Sequence, residues 1–414
     1  MAAWTNVLRM GKVGIGNCLE RIRRANGIRL SRSSKVDLHK VVLSCNLGRG
    51  YLCNPKYIAE ALNRIYPGEF DIVLLVNKPI DDLPSYIRQV RRGSSKAQRE
   101  LASARVWIYN FRNDKKHVPK REDQFYFQTW HACLGPKRCE GDAVESLSAE
   151  YVRAAKYDGS ITDLMFANNA SEAAKYQRAF WYKGPILRCG IPRNRPLLIP
   201  NHNVRDRVRT DLGLEDNRRL CLYAPTFRNG CSFEPYRFDY ERVLNALEAK
   251  FGEPFAFAYR LHPNLASLQR PDFLTGLIDA TDYLDQQELL AVTDVLISDY
   301  SSILEDFSLT RRPAFVYASD FDDYANDRGL YYPLNERPFP IASTKDELVD
   351  KILAFDEDAF LKSVDAFFAR FGLRDDGLGD ERVARVIHAL SDTNATIESV
   401  IDADDVWEQM DRMQ

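Results

Sequence analysis

Two successive series of short, uninterrupted apolar runs, separated by stretches of helix length, limit what this chain can fold into. The first comprises KVVLSC (40–45), FDIVLLV (70–76), ARVWIYN (104–110), QFYFQTW (124–130), DLMFAN (163–168) and PILRCG (185–190). Such runs lack the polar–apolar alternation of a strand with one wet face. They read instead as strands covered on both sides, the condition of a parallel sheet between helix layers. A second series follows: RLCLYAP (219–225), PFAFAYRL (254–261), DVLISDY (294–300) and PAFVYA (313–318). The polar, Pro-containing stretch IPRNRPLLIPNHNVRDR (191–207) between them reads as an interdomain linker. The expected fold is α/β, with two Rossmann-like, doubly wound domains over 37–195 and 196–393 facing a cleft. Ligands of such folds bind outside the carboxyl ends of the strands.

Charge and the chain ends narrow the function. Basic residues (57) nearly cancel acidic ones (59), so the excess of a nucleic-acid binder is absent and no nucleic-acid partner is expected. Eight cysteines form no Cys-x-x-Cys pair, and several sit in apolar runs; reduced thiols are expected, with no zinc spacing. No apolar stretch is long enough to cross a bilayer, and the first thirty residues lack the apolar core of a signal peptide. Residues 1–36 form a basic leader: eight Arg and Lys up to Lys35 stand against Glu20 alone. Trp4, Val7, Leu8, Ile15, Cys18, Leu19 and Ile22 follow a helical period. A basic amphipathic helix suits an anionic membrane surface, and equally a helix packed on its own protein. Residues 394–414 read as an acidic C-terminal helix.

The chemistry gathers at strand exits. DVLISDYSSILEDF carries Asp299, Ser301 and Ser302 from a strand into a helical pattern, where free N–H groups and hydroxyls can hold a phosphate or simply cap the helix. PFAFAYRLHP delivers Arg260 and His262 to another exit, and LCLYAPTFRNG delivers Thr226 and Arg228. Together they supply the donors and charge a nucleotide diphosphate needs, although a loop Arg is more often merely solvated. In the first half QFYFQTWHACLGPKRCEGD places His131 after a strand, followed by Lys137 and Arg138. An imidazole suits a general base there, or a structural hydrogen bond at a turn; Asp142, eleven residues on, is the candidate to orient it. After the first strand a Gly-containing loop leads to Asn54, Pro55 and Lys56, with Asn54 expected at the helix N-cap. Its glycine spacing matches neither a dinucleotide fingerprint nor a P-loop.

Taken together these segments resemble the CDP-glycerol glycerophosphotransferase family, the polymerases and primases of teichoic acid and related capsular polymers. The resemblance rests on NLGRGYLCNPKYIAEAL, VWIYNFR, YFQTWHA, CGIPRN, LYAPTFR, RLHPN, ISDYSSILEDF, RRPAFVY and DRGLYY, in order over about residues 40–335. It implies a GT-B-type fold, a donor bound by the C-terminal half without metal or other cofactor, and an acceptor bound by the N-terminal half. It implies His131 as the base, with His262, Ser301 and Ser302 on the donor pyrophosphate and Arg228 and Arg260 in support. Asn54, Lys56, Lys137 and Arg138 fall on the acceptor side. The implied reaction moves an alditol phosphate from a CDP-alditol such as CDP-glycerol to a lipid-linked or polymeric glycan, releasing CMP, at the cytoplasmic face of the membrane. A UDP-sugar glycosyltransferase or epimerase, and a non-catalytic nucleotide-binding relative, are the alternatives. Two positions depart from the family pattern. Ala132 replaces a Gly, which would strain a loop that needs positive φ; Arg195 replaces an Asp at the hinge.

Overall fold

In a computed structural model, residues 2–112, 117–214, 217–226, 233, 236, 237, 239–261, 270–320 and 329–401 are described, the first sixteen of them as backbone only. The first domain carries seven parallel strands: β1 (Asp37–Ser44), β2 (Asp71–Val76), β3 (Ile87–Arg91), β4 (Ala104–Tyr109), β5 (Phe125–Gln128), β6 (Leu164–Ala167) and β7 (Ile186–Arg188), in the order β3-β2-β1-β4-β5-β6-β7. Alternate residues of the central strands feed opposite cores. Val41, Leu43, Ile72, Leu74, Val106 and Ile108 enter one; Val42, Val73, Leu75, Trp107 and Tyr109 enter the other. With both faces covered, every position must be apolar, and that is the origin of the uninterrupted runs.

The second domain has six parallel strands: β8 (Arg219–Tyr223), β9 (Phe255–Tyr259), β10 (Ile278–Asp279), β11 (Val295–Ser298), β12 (Ala314–Tyr317) and β13 (Ile341–Ala342), ordered β10-β9-β8-β11-β12-β13. Each expected run is a strand. The edge strands β3, β10 and β13 escaped the sequence reading because they are half wet or only two residues long. Strand order reverses direction between β1 and β4, and again between β8 and β11. Chain leaving those strands opens into a crevice at each switch point.

Two sequence expectations change here. The linker is ordered: a 3₁₀ turn (Pro192–Asn194) and helices Arg195–Leu198 and His202–Asp211 occupy it, with Arg193 and Asn194 buried. The chain also crosses back. Val383, Ala384, Val386, Ile387 and Leu390, assigned by sequence to the second domain, pack in the first core with Ile397, on the helix Cys53–Ile65. Gly190 and Gly379 mark where the two crossings touch, since a Cβ on Gly379 would lie 2.8 Å from the Gly190 carbonyl carbon. The Asp375 carboxylate binds both crossings, accepting from Ile191 N (3.0 Å), Asn194 Nδ2 (2.9 Å) and Gly377 N (3.1 Å). The leader is a helix, Ala2–Ser33, seated by Leu30 in the second core and by Asn26 Nδ2 donating to Gln98 (2.6 Å). Of the expected acidic tail only Ile397–Val400 is described as helix; 402–414 lie outside the described residues.

Candidate active site

His131 leaves β5 on a loop fixed from several sides. Its ring stacks on Phe111 (centroids 4.1 Å apart, 5° between planes) and lies 4.3 Å from the Trp130 ring. Nδ1 is 2.9 Å from the Asn110 carbonyl oxygen. A carbonyl only accepts, so Nδ1 carries the proton and Nε2 is the basic atom of the neutral ring. Asn110 in turn exchanges hydrogen bonds with Asn46 across the β1/β4 switch point (2.8 and 2.7 Å). Desolvation, aided by the charge of Arg193, pushes the imidazole down to about 4, against the opposing hydrogen bond to Asn110.

Positive φ in this loop falls on Trp130 (52°) and Leu134 (49°), not on Ala132. The departure from glycine at Ala132 therefore carries no backbone strain. Asn54 is not an N-cap: the helix starts at Cys53. Its amide donates to the Thr129 and Trp130 carbonyls (3.1 and 3.0 Å), and its oxygen accepts from Arg193 N (3.1 Å). The side chain is consumed in shaping the His131 loop and is a positioning residue rather than an acceptor contact. Lys56 is likewise spent. Its ammonium lies 2.7 Å from Asp285 and 2.6 Å from Glu288, a buried ion pair between the domains.

Asp142 does not orient the imidazole, whose partner is Asn110. Its carboxylate accepts from Arg178 (2.6 and 3.2 Å) and the Tyr331 hydroxyl (2.9 Å), which hold it below the usual carboxylate range. Lys137 bridges to Leu330 of the second domain, and Arg138 N donates to Gly329 O (3.2 Å). Their backbones form a seam between domains directly after the base loop, with the Arg138 side chain exposed.

On the second domain the turn after β11 faces this loop. A Cβ on Gly135 would sit 3.0 Å from Ser302 Cβ, so the absent side chain is what lets base loop and serine turn meet. Ser301 Oγ accepts from Ile303 N at 3.3 Å, whereas the Ser302 hydroxyl makes no capping bond. Capping therefore accounts for one serine and leaves the other. Asp299, read from sequence as a donor ligand, has its carboxylate on Thr226 N (3.0 Å) and Tyr300 N (2.6 Å). It ties together the exits of β8 and β11 and is a positioning residue too. Arg260 sits at the exit of β9; among the described residues its Nε has no partner and its Nη2 reaches Tyr283 O at 3.4 Å. Desolvation lowers its affinity for a proton. A guanidinium short of partners among the described residues, at a strand exit of the same sheet as the serine turn, is suited to an anionic ligand. His262 and Arg228 lie outside the described residues.

Sequence reasoning missed two buried arginines. Arg337 donates to Glu305 (2.7 and 3.0 Å), the Asp299 carbonyl (2.7 Å) and the Ser301 carbonyl (2.9 Å), and so sets the shape of the serine turn. Arg193 grips both Asp306 oxygens at 2.9 Å, joining the hinge to the helix behind that turn. CGIPRN contained Arg193, but no local signal distinguished either residue from a solvated loop Arg. Arg195 meets Asp380 (3.2 Å) and Glu381 (3.0 Å) beside Arg64. The cation is thus matched by an acidic pair on the returning helix.

Two doubly wound domains, with a neutral imidazole on one rim and a serine turn on the other, make up a GT-B-type transferase architecture. Sequence comparison gives the particular family: the CDP-Glycerol:Poly(glycerophosphate) glycerophosphotransferase model matches residues 27–389, and the chain belongs to that family. It is 29% identical over 356 residues to a teichoic acid poly(glycerol phosphate) polymerase of Staphylococcus epidermidis, covering 82% of this chain and 49% of the relative. It is 25% identical over 357 residues to a teichoic acid glycerol-phosphate transferase of Staphylococcus aureus, covering 82% and 90%. The chain therefore spans about half of the first relative and most of the second. The solved structure of the wall teichoic acid polymerase TagF superposes with a TM-score of 0.77 at 26% identity, covering 98% of this chain and 99% of that one.

Proposed function

We propose that this chain transfers glycerol phosphate, or another alditol phosphate, from a CDP-alditol to a hydroxyl of a teichoic-acid-type or capsular polymer. The observation that carries the reading is the meeting of the His131 loop with the Ser302 turn at Gly135. His131 Nε2 takes the proton of the acceptor hydroxyl as its oxygen attacks the distal phosphorus of the donor. The bond from that phosphorus to the bridging oxygen breaks, and CMP leaves. Ser301, Ser302 and Arg260, with His262 and Arg228, hold the pyrophosphate and neutralise the charge that grows on the departing phosphate. The exposed Arg138 beside the seam supplies charge for a phosphate-bearing acceptor.

Mass spectrometry of products after incubation with CDP-glycerol, CDP-ribitol and UDP-sugars, each with a polyol-phosphate acceptor, tests this. CMP and an acceptor heavier by one alditol phosphate are expected. Turnover of UDP-sugars alone would replace the reading with glycosyl transfer.

Membrane docking belongs to the same proposal. Among the described residues no helix is long and apolar enough to cross a membrane. The leader helix nevertheless exposes Leu19 (48%) and Ile22 (58%) among exposed Arg21, Arg23 and Arg24. Apolar side chains ringed by arginine suit the headgroup region of an anionic leaflet at the cytoplasmic face. Co-sedimentation with phosphatidylglycerol vesicles is expected, and Leu19→Glu with Ile22→Glu should lower it at least about tenfold. Equal recovery of both proteins would sink the anchor.

A further inference from the structure

Tyr332 stands where the two halves of the site are joined. It follows Leu330 and Tyr331, which seal the domain seam through the bridge to Lys137 and through Tyr331 N donating to Pro136 O (2.6 Å). The Tyr332 ring is buried against Phe367 and Phe371 (centroids 6.0 and 5.2 Å away) and clusters with Cys133 and Leu134 of the first domain. Its hydroxyl has two acceptors within reach: the Leu134 carbonyl, on the base loop, and Glu305 Oε1 at 3.2 Å. Glu305 is the carboxylate gripped by Arg337, whose remaining donors hold the Asp299 and Ser301 carbonyls. The hydroxyl has one proton, which points to the closer acceptor, the Leu134 carbonyl, so a run of close polar contacts leads from the loop of His131 through Tyr332, Glu305 and Arg337 to the serine turn.

We propose that the Tyr332 hydroxyl is a positioning group that fixes the distance between the base and the phosphate turn. This rests on the alditol-phosphate transfer reading above. The physical argument is one of tolerance. The base loop belongs to one domain and the serine turn to the other, so any slack between domains passes directly into the gap the reacting atoms must span. A misplacement of about 1 Å at reacting atoms costs on the order of a hundredfold in rate. Ring packing alone resists separation of the domains but leaves sliding free. A hydrogen bond from a buried hydroxyl to a specific carbonyl resists sliding as well.

Tyr332→Phe removes the hydroxyl and keeps the ring. The expected result is a fall in kcat for CMP release of about tenfold or more, with the calorimetric Kd for CDP-glycerol within about twofold of the parent. Phe367→Leu, which disturbs the same ring packing but spares the hydroxyl, should leave kcat within about twofold. Amide exchange over residues 131–135 should rise in Tyr332→Phe and not in Phe367→Leu. Three results would each overturn the proposal: undiminished kcat in Tyr332→Phe, equal loss in both variants, or unchanged exchange across the base loop. If the parent protein releases no CMP from any CDP-alditol, the functional reading fails, while the exchange comparison still decides the coupling.

Discussion

His131→Ala is expected to lower CMP release from CDP-glycerol and acceptor by about 10²–10⁴-fold, the range a general base contributes, while calorimetry returns nearly the parental donor affinity. The imidazole is neutral, its Nδ1 proton is committed to the Asn110 carbonyl, and nothing else on the base loop could accept a proton at neutral pH. The pH dependence should carry the same signature. With the ring held down to about 4, the acidic limb of kcat/KM should fall well below the ordinary imidazole value. The limb of kcat should lie higher, because a bound pyrophosphate places negative charge beside the ring and favours its protonated form. Stability falls in the same direction, but over a window that begins at the ordinary imidazole value. A histidine whose folded value is depressed below about 6.5 withdraws stability as pH falls from there to the folded value, and no further below it. Unchanged turnover in His131→Ala would remove this residue from the reaction.

The second large effect is expected at Arg337. Replacing it with methionine leaves the buried Glu305 carboxylate without its cation and frees the Asp299 and Ser301 carbonyls. Breaking a buried pair from one side typically costs about 3–5 kcal/mol, so a clear fall in thermal midpoint should accompany loss of CDP-glycerol binding. The double variant Arg337→Met/Glu305→Leu separates the two losses. Removing both charges should return most of the stability, whereas the serine turn, still without its donors, should bind CDP-glycerol poorly. Full donor affinity in the double variant would show that the turn keeps its shape without Arg337.

The central strands were legible because of a local cause: Val42 and its neighbours Val41 and Leu43 feed opposite cores, and each must be apolar. Edge strands such as β10 satisfy no such demand. The strand exits were legible for a related reason, since the parallel strands of each sheet all end on one side, delivering His131 to one rim and Arg260 and Ser301 to the other. What the residues do there was harder to read. Asn54 and Lys56 look available at a helix start, yet their partners lie 75 and 229 residues away. No local pattern encodes such distances. Asp142 was assigned to His131 by proximity along the chain, but Arg178 and Tyr331 had the stronger claim. The resemblance supplied the order of the motifs; only the fold shows that Asp299 and Asn54 serve by holding backbone.

The double crossing at Gly190 and Gly379 bears on how the two domains can move. A body joined to another by a single tether can swivel in any direction. Two tethers lying side by side act like the paired knuckles of a door, and permit swing about the line through them far more readily than twist or slide. Opening and closing of the cleft would then trace one arc. Each return along that arc would bring the same atoms back to the same meeting place, turnover after turnover.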